Sequence, residues 1–152
     1  MSPYMALIDR KISAWMDKYC QGLMRISLAL IFIWFGMLKP LGMSPEEELI
    51  KNTVYFFPPE VVLFVLGCWE VTIGIGLLYK PLLRVALLLL LIELPGTFLP
   101  LIVLPEICFH SVPFGLSLEG QYIVKNLFLI GAAFVIGSKV AQNNPLLEET
   151  EA

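Results

Sequence analysis

The sequence predicts an all-α fold, a four-helix transmembrane bundle preceded by an amphipathic interfacial helix. Three observations lead there. Apolar residues make up 58% of the 152 positions and charged residues only 15%, against roughly 45–50% and about 25% in ordinary soluble chains. Apolar runs of membrane-spanning length recur four times, and at about 20 residues each they use about 80 of the positions. Pro58, Pro59, Pro81 and Pro113 fall between the runs, where a missing backbone donor does least harm. A net charge of −3 leaves no basic footprint for nucleic acid, and the charges are too few to keep a soluble surface free of apolar patches.

Residues 1–20 form the amphipathic segment. Met5, Ile8, Ile12, Trp15, Met16 and Tyr19 recur at three- and four-residue spacings, while Asp9, Arg10, Lys11, Asp17 and Lys18 fall mostly on the other face. This pattern places a helix on the cytoplasmic leaflet with Trp15 at headgroup depth, the alternative being a cytosolic cap packed on the bundle. The bundle occupies residues 21–140. Its spans are 22–43, 60–79, 82–105 and 120–140, with one charge, Glu70, inside the second and one, Glu93, deep in the third. Pro95 removes the donor for the Leu91 carbonyl and Gly96 adds freedom, so a kink or a break is expected in span three. That irregularity either lines a cavity or serves packing alone. Residues 141–152 read as a polar, acidic, disordered tail.

Orientation follows the basic residues. Arg10, Lys11, Lys18, Arg25, Lys80, Arg84 and Lys139 gather on one side of the membrane. The opposite loops hold only Lys51, beside Glu46, Glu47, Glu48, Glu60, Glu106 and Glu119. Both termini are therefore expected in the cytoplasm, in a multi-pass protein of an inner membrane. A long polar-interrupted stretch precedes the first apolar run, which is not the pattern of a cleavable signal peptide.

The residues most informative about function are the charges that cannot avoid hydrocarbon. Glu70 and Glu93 lie near mid-depth, where an unpaired charge costs about 2.5–3.5 kcal/mol on insertion scales. Lys39 and Lys125 lie near the outer ends of spans one and four, and two lysines with two glutamates sum to zero. Long lysine side chains reaching inward make both of them the expected partners of Glu70 and Glu93. Gln121 and Tyr122 precede Lys125 and Asn126 by one turn each, and Gly36, Gly67 and Gly74 allow helices to approach beside the charges. The candidate ligand-binding pocket is thus Lys39, Glu70, Glu93, Tyr122, Lys125 and Asn126, opening outward, with a purely structural ion pair as the alternative. His110, Cys108 and Glu106 supply too few ligands for a metal, and Cys20, Cys68 and Cys108 form no C-x-x-C pair.

Three blocks carry a family resemblance: RISLALIFIWFGMLKP from Arg25, LGCWEVTIGIGLLYKPLLR from Leu66 and GQYIVKNLFLIGAAFVIG from Gly120. In the first, Phe32, Trp34, Gly36 and Lys39 meet an F-x-W-x-G-x-x-K pattern. The second holds W-E-V-x-I-G at Trp69 to Gly74, and the region of the third holds E-G-Q-Y-x-x-K-N at Glu119 to Asn126. These blocks resemble DoxX-like integral membrane proteins, in particular the bacterial reactive-chlorine-resistance branch. Span three and the His110 loop match the family less securely. The resemblance implies a role in redox balance or oxidative stress, with a quinone as the candidate ligand or cofactor. It implies a non-catalytic membrane partner of an oxidoreductase, with no catalytic residue assigned. Expected partners are the lipid bilayer, a soluble oxidoreductase or membrane complex, and further copies of the chain. A proton or small-solute transporter and an assembly subunit of a membrane complex are the alternative functions.

Overall fold

The computed structural model describes residues 3–54 and 56–142. In chain order these form α1 (Pro3–Leu38), a short α2 (Glu47–Thr53), α3 (Pro59–Leu78), a 3-10 turn (Lys80–Leu82) and α4 (Leu83–Val103). A one-turn α5 (Pro105–Cys108) leads into a small antiparallel hairpin, β1 (Phe109–Ser111) with β2 (Gly115–Leu116), and then α6 (Leu118–Lys125) and α7 (Leu127–Gln142). Ile8–Leu38, Pro59–Leu78, Lys80–Val103 and Leu118–Ser138 are long and apolar enough to cross a bilayer. The chain is an all-α, multi-pass membrane protein with a four-helix bundle. Four crossings put residues 3 and 142 at one end, here the termini end, and leave α2, α5 and the hairpin at the far end.

Local chemistry marks the boundaries. Pro40 disfavours helical backbone at Lys39, so α1 stops there, and Gly42 turns the chain at φ 66. Pro59 occupies the first turn of α3, where no donor is needed. Ser117 caps α6, its hydroxyl oxygen accepting from the Gly120 N–H at 3.1 Å.

The core of the bundle is aliphatic. Leu28, Ala29 and Phe32 of α1 meet Ile73 and Leu77 of α3, Ala86, Leu87 and Leu90 of α4, and Ala133 and Ile136 of α7. Helices α1 and α3 cross closely because small residues sit at the crossing. A Cβ on Gly67 would stand 2.6 Å from the Gly36 carbonyl oxygen, and one on Gly74 would stand 2.8 Å from that of Ala29. A second cluster, Leu49, Cys108 and Ile123 with Phe98, Leu101 and Phe109 against it, binds α2 and α5 over the far end of α4 and α6. This cluster sets where α2 begins, and so where Glu46 stands.

Of the kink or break expected in span three, the break is absent: α4 runs unbroken through Pro95 and Pro100. Pro95 is exposed to the lipid side while Leu94 and Pro100 are buried in the bundle, so packing carries the helix past the missing donors. The interruption falls in span four, at Asn126 between α6 and α7, where the Asn126 N–H bonds back only three residues to the Ile123 carbonyl.

The amphipathic N-terminal segment is helical and continuous with span one. Tyr4, Met5, Ile8, Ile12, Trp15, Met16 and Tyr19 are all exposed, so this face is not packed on the bundle as a cap. The tail read over 141–152 lies, from residue 143 onward, outside the described residues.

Candidate functional site

Four segments converge on Lys39. It is the first residue after α1, only 3% exposed, and its ammonium donates to both carboxylate oxygens of Glu70 at 2.8 Å. A third donation reaches Glu46 Oε2 at 3.2 Å from the start of α2. Glu70 comes from the middle of α3, one turn from Gly67 and one from Gly74, so the close α1–α3 crossing is what brings its carboxylate to the lysine. Glu93 of α4 lies close enough to the Glu70 carboxyl for the two groups to interact. The cluster thus sets one lysine against three acidic side chains. Glu46, with its side chain 40% exposed, is the way out toward the far end.

The sequence-derived pocket is therefore half assembled. Lys39, Glu70 and Glu93 come together as expected, but Lys125, Tyr122 and Asn126 do not join them. Lys125 is exposed, and its ammonium sits 5.2 Å from the centroid of the Tyr122 ring. The expected pairing of Lys125 with a mid-depth glutamate fails for a rotational reason. Helix α6 turns Gly120 and Ile123 inward, and a residue two positions after Ile123 points about 200° round the helix. Asn126 serves the helix junction, its carbonyl accepting from Leu129 N at 2.9 Å.

Two residues of the site were not legible in advance. Glu46 belongs to a run of three glutamates that reads as a solvated loop, and only the path of the chain after Pro40 returns it to Lys39. Trp69 reads as an ordinary apolar residue of span two. Its indole Nε1, however, is buried without a hydrogen-bond partner, and so is Glu93 Oε2. Arg25 Nε, at the termini end, is the third such atom among the described residues. An unsatisfied buried polar atom costs about 1–3 kcal/mol and calls for an explanation.

Trp69 also lines a groove of about 380 Å³ between α3 and α4, together with Phe64, Val65, Cys68, Thr72 and Leu89. The Thr72 hydroxyl donates to the Cys68 carbonyl at 2.7 Å, so the indole N–H is the donor left over. Leu89 stands one turn before Glu93 on α4, which puts the carboxyl next along that helix face. A second groove, about 420 Å³, runs along the other flank of α3 past Gly36, Met37, Pro40 and Val71, and no unpaired polar atom lines it. Both face outward into what would be lipid.

Comparison of the chain with family models, with curated proteins and with solved structures finds no match.

Proposed function

We propose that the chain is a DoxX-like protein of the bacterial inner membrane, with both termini in the cytoplasm. It serves a redox or oxidative-stress system by binding a quinone-class amphiphile in the groove between α3 and α4. The observation that carries this reading is a buried, unpaired donor, Trp69 Nε1–H, on a residue that lines that groove; Glu93, whose Oε2 is likewise unpaired, stands one turn beyond Leu89 on α4, outside the lining. A quinone carbonyl accepts from an indole N–H, so a flat headgroup with an apolar tail satisfies that donor and fills the groove. Pockets of a few hundred Å³ with a few placed polar groups are the usual form of small-molecule sites. Lys39 holds Glu70 beside Glu93. Electron transfer itself is left to a partner oxidoreductase.

The transporter reading is less favoured. Toward the termini end Ile73, Leu77 and Leu90, all 0% exposed, close the bundle with aliphatic side chains and offer a translocated ion no polar step. The assembly-subunit reading leaves the unpaired Trp69 donor without an explanation.

The test is a calorimetric titration of the purified protein in mild detergent with a short-chain ubiquinone. Saturable binding is expected. Trp69→Phe should weaken it about 2- to 10-fold, the value of one lost hydrogen bond. Lys125→Ala, remote from the groove, should leave it unchanged. No saturable binding by the unaltered protein, or undiminished binding by Trp69→Phe, overturns the proposal.

A further inference from the structure

Helix α1 is longer than the membrane it crosses. Its 36 residues extend about 54 Å, whereas a bilayer measures about 40–45 Å with its headgroups. The excess lies at the N-terminal end and carries a line of exposed apolar side chains: Met5, Ile8, Ile12, Met16 and Tyr19. The same line continues without a change of register through Leu23, Ile26, Leu30, Trp34 and Met37, the face that the spanning half of α1 turns toward lipid. Its steps of three and four residues average close to 3.6, so it runs parallel to the helix axis instead of winding round it as a coiled-coil seam does. The unpartnered face of the extension therefore points away from the bundle.

Gly22 stands where the two halves meet, and a Cβ there would touch nothing within 4 Å. That side of the helix is open, and the one hydrogen bond to a neighbouring helix beside it is the Gln21 amide donating to the Val135 carbonyl of α7 at 3.5 Å, which an outward swing gives up. If the extension swings outward about Gly22, the face that looked toward lipid comes to lie against the leaflet surface, and the apolar line stays in contact with lipid along its whole length. Trp15 and Tyr19, with ring centroids 5.4 Å apart, and Lys18, 5.3 Å from the Tyr19 ring, then sit at the headgroup level. Arg10, Lys11 and Lys18, with Arg25, Lys80 and Arg84 at the same end, supply cations to an anionic surface.

We infer that residues 3–21 of α1 pivot at Gly22 and lie along the leaflet on the termini side as an arm that reads anionic lipid. The occupant of the exposed face is the lipid surface.

The test uses nitroxide labels on the full chain with Cys20→Ser and Cys68→Ser, reconstituted in phosphatidylcholine vesicles with and without phosphatidylglycerol. A label at Met16→Cys should be accessible to oxygen and shielded from a water-soluble nickel chelate. One at Ala14→Cys, on the opposite face, should behave the other way round. Phosphatidylglycerol should strengthen the contrast, and Lys11→Glu with Lys18→Glu should remove that strengthening. Labels at Ile8→Cys and Leu30→Cys should lie about 24 Å apart across a right-angled pivot, against about 33 Å along an unbent helix. Nickel access at both 14 and 16 overturns the inference in favour of an arm in water. Label 16 shielded from both reagents, with spin coupling between copies, overturns it in favour of self-association. The unbent distance overturns the pivot.

Discussion

Lys39 holds two ion pairs of different worth. The pair with Glu70 is buried at the lysine and mostly buried at the carboxylate, and removing one partner strands the other charge at a cost of about 3–5 kcal/mol. Lys39→Met should therefore lower the thermal unfolding temperature in detergent sharply, and Lys39→Met with Glu70→Leu should recover most of the loss. A double variant as unstable as the single one contradicts this account. Glu46 is part-exposed, and pairs of that kind are worth about 0–1 kcal/mol, so Glu46→Gln should barely move the same measurement. Cysteine reactivity separates two environments in the same way. Cys108 is buried, its Sγ lies 3.5 Å from the Pro100 carbonyl oxygen, and burial, with Glu119 and Glu106 nearby, pushes its thiol pKa up. The thiolate is the nucleophile, so a raised pKa means less of it at neutral pH. Maleimide should modify exposed Cys20 readily and Cys108 only after unfolding, as read by mass spectrometry of the intact chain. Lys39 and Glu70 were legible as members of one charged group, with Lys125 and Glu93 beside them, because each is a charge that hydrocarbon does not tolerate alone. Glu46 was not, because a charge in a loop gives no sign of where the loop goes.

The glycines show at the scale of the helix which positions packing has claimed. Gly67 has the Gly36 carbonyl and Pro40 within 3 Å of where a Cβ would stand, whereas nothing lies within 4 Å of one on Gly96. Gly67→Ala should force α1 and α3 apart and cost about 1–3 kcal/mol. Gly96→Ala should be neutral or stabilising, by up to about 1 kcal/mol of helix propensity. Thermal unfolding of the two variants side by side decides the matter, and an equal effect would refute the close crossing. The one-face spacing of Gly67, Glu70 and Gly74 was readable from sequence because helical period alone sets it. The continuity of α4 was not, since a proline states only what its own residue cannot donate, and neighbouring helices decide whether the rest of the helix tolerates the loss. The break at Asn126 had no such local warning, because neither proline nor glycine marks it.

For the whole molecule, the basic residues and the even number of crossings make one topological prediction. In intact bacterial cells, a membrane-impermeant maleimide should label His110→Cys, in the far-end hairpin, and should label Lys80→Cys, in the turn at the termini end, only after the cells are opened. The opposite pattern would invert the orientation and place the Glu46 opening of the cluster on the cytoplasmic side. The sequence by itself determined the solvent, the helical class, the four spans and the four charges within them, Lys39, Glu70, Glu93 and Lys125. Those properties follow from composition and from the demand that every backbone donor in lipid be satisfied within its own segment. Tertiary structure alone decided that Lys39 and not Lys125 meets Glu70, that Glu46 returns to the cluster, and that Trp69 keeps an unpaired donor beside a groove. These depend on the rotation of each helix about its axis and on the path of its loops, which are set by packing between segments distant in the chain and leave no periodic trace in any one of them.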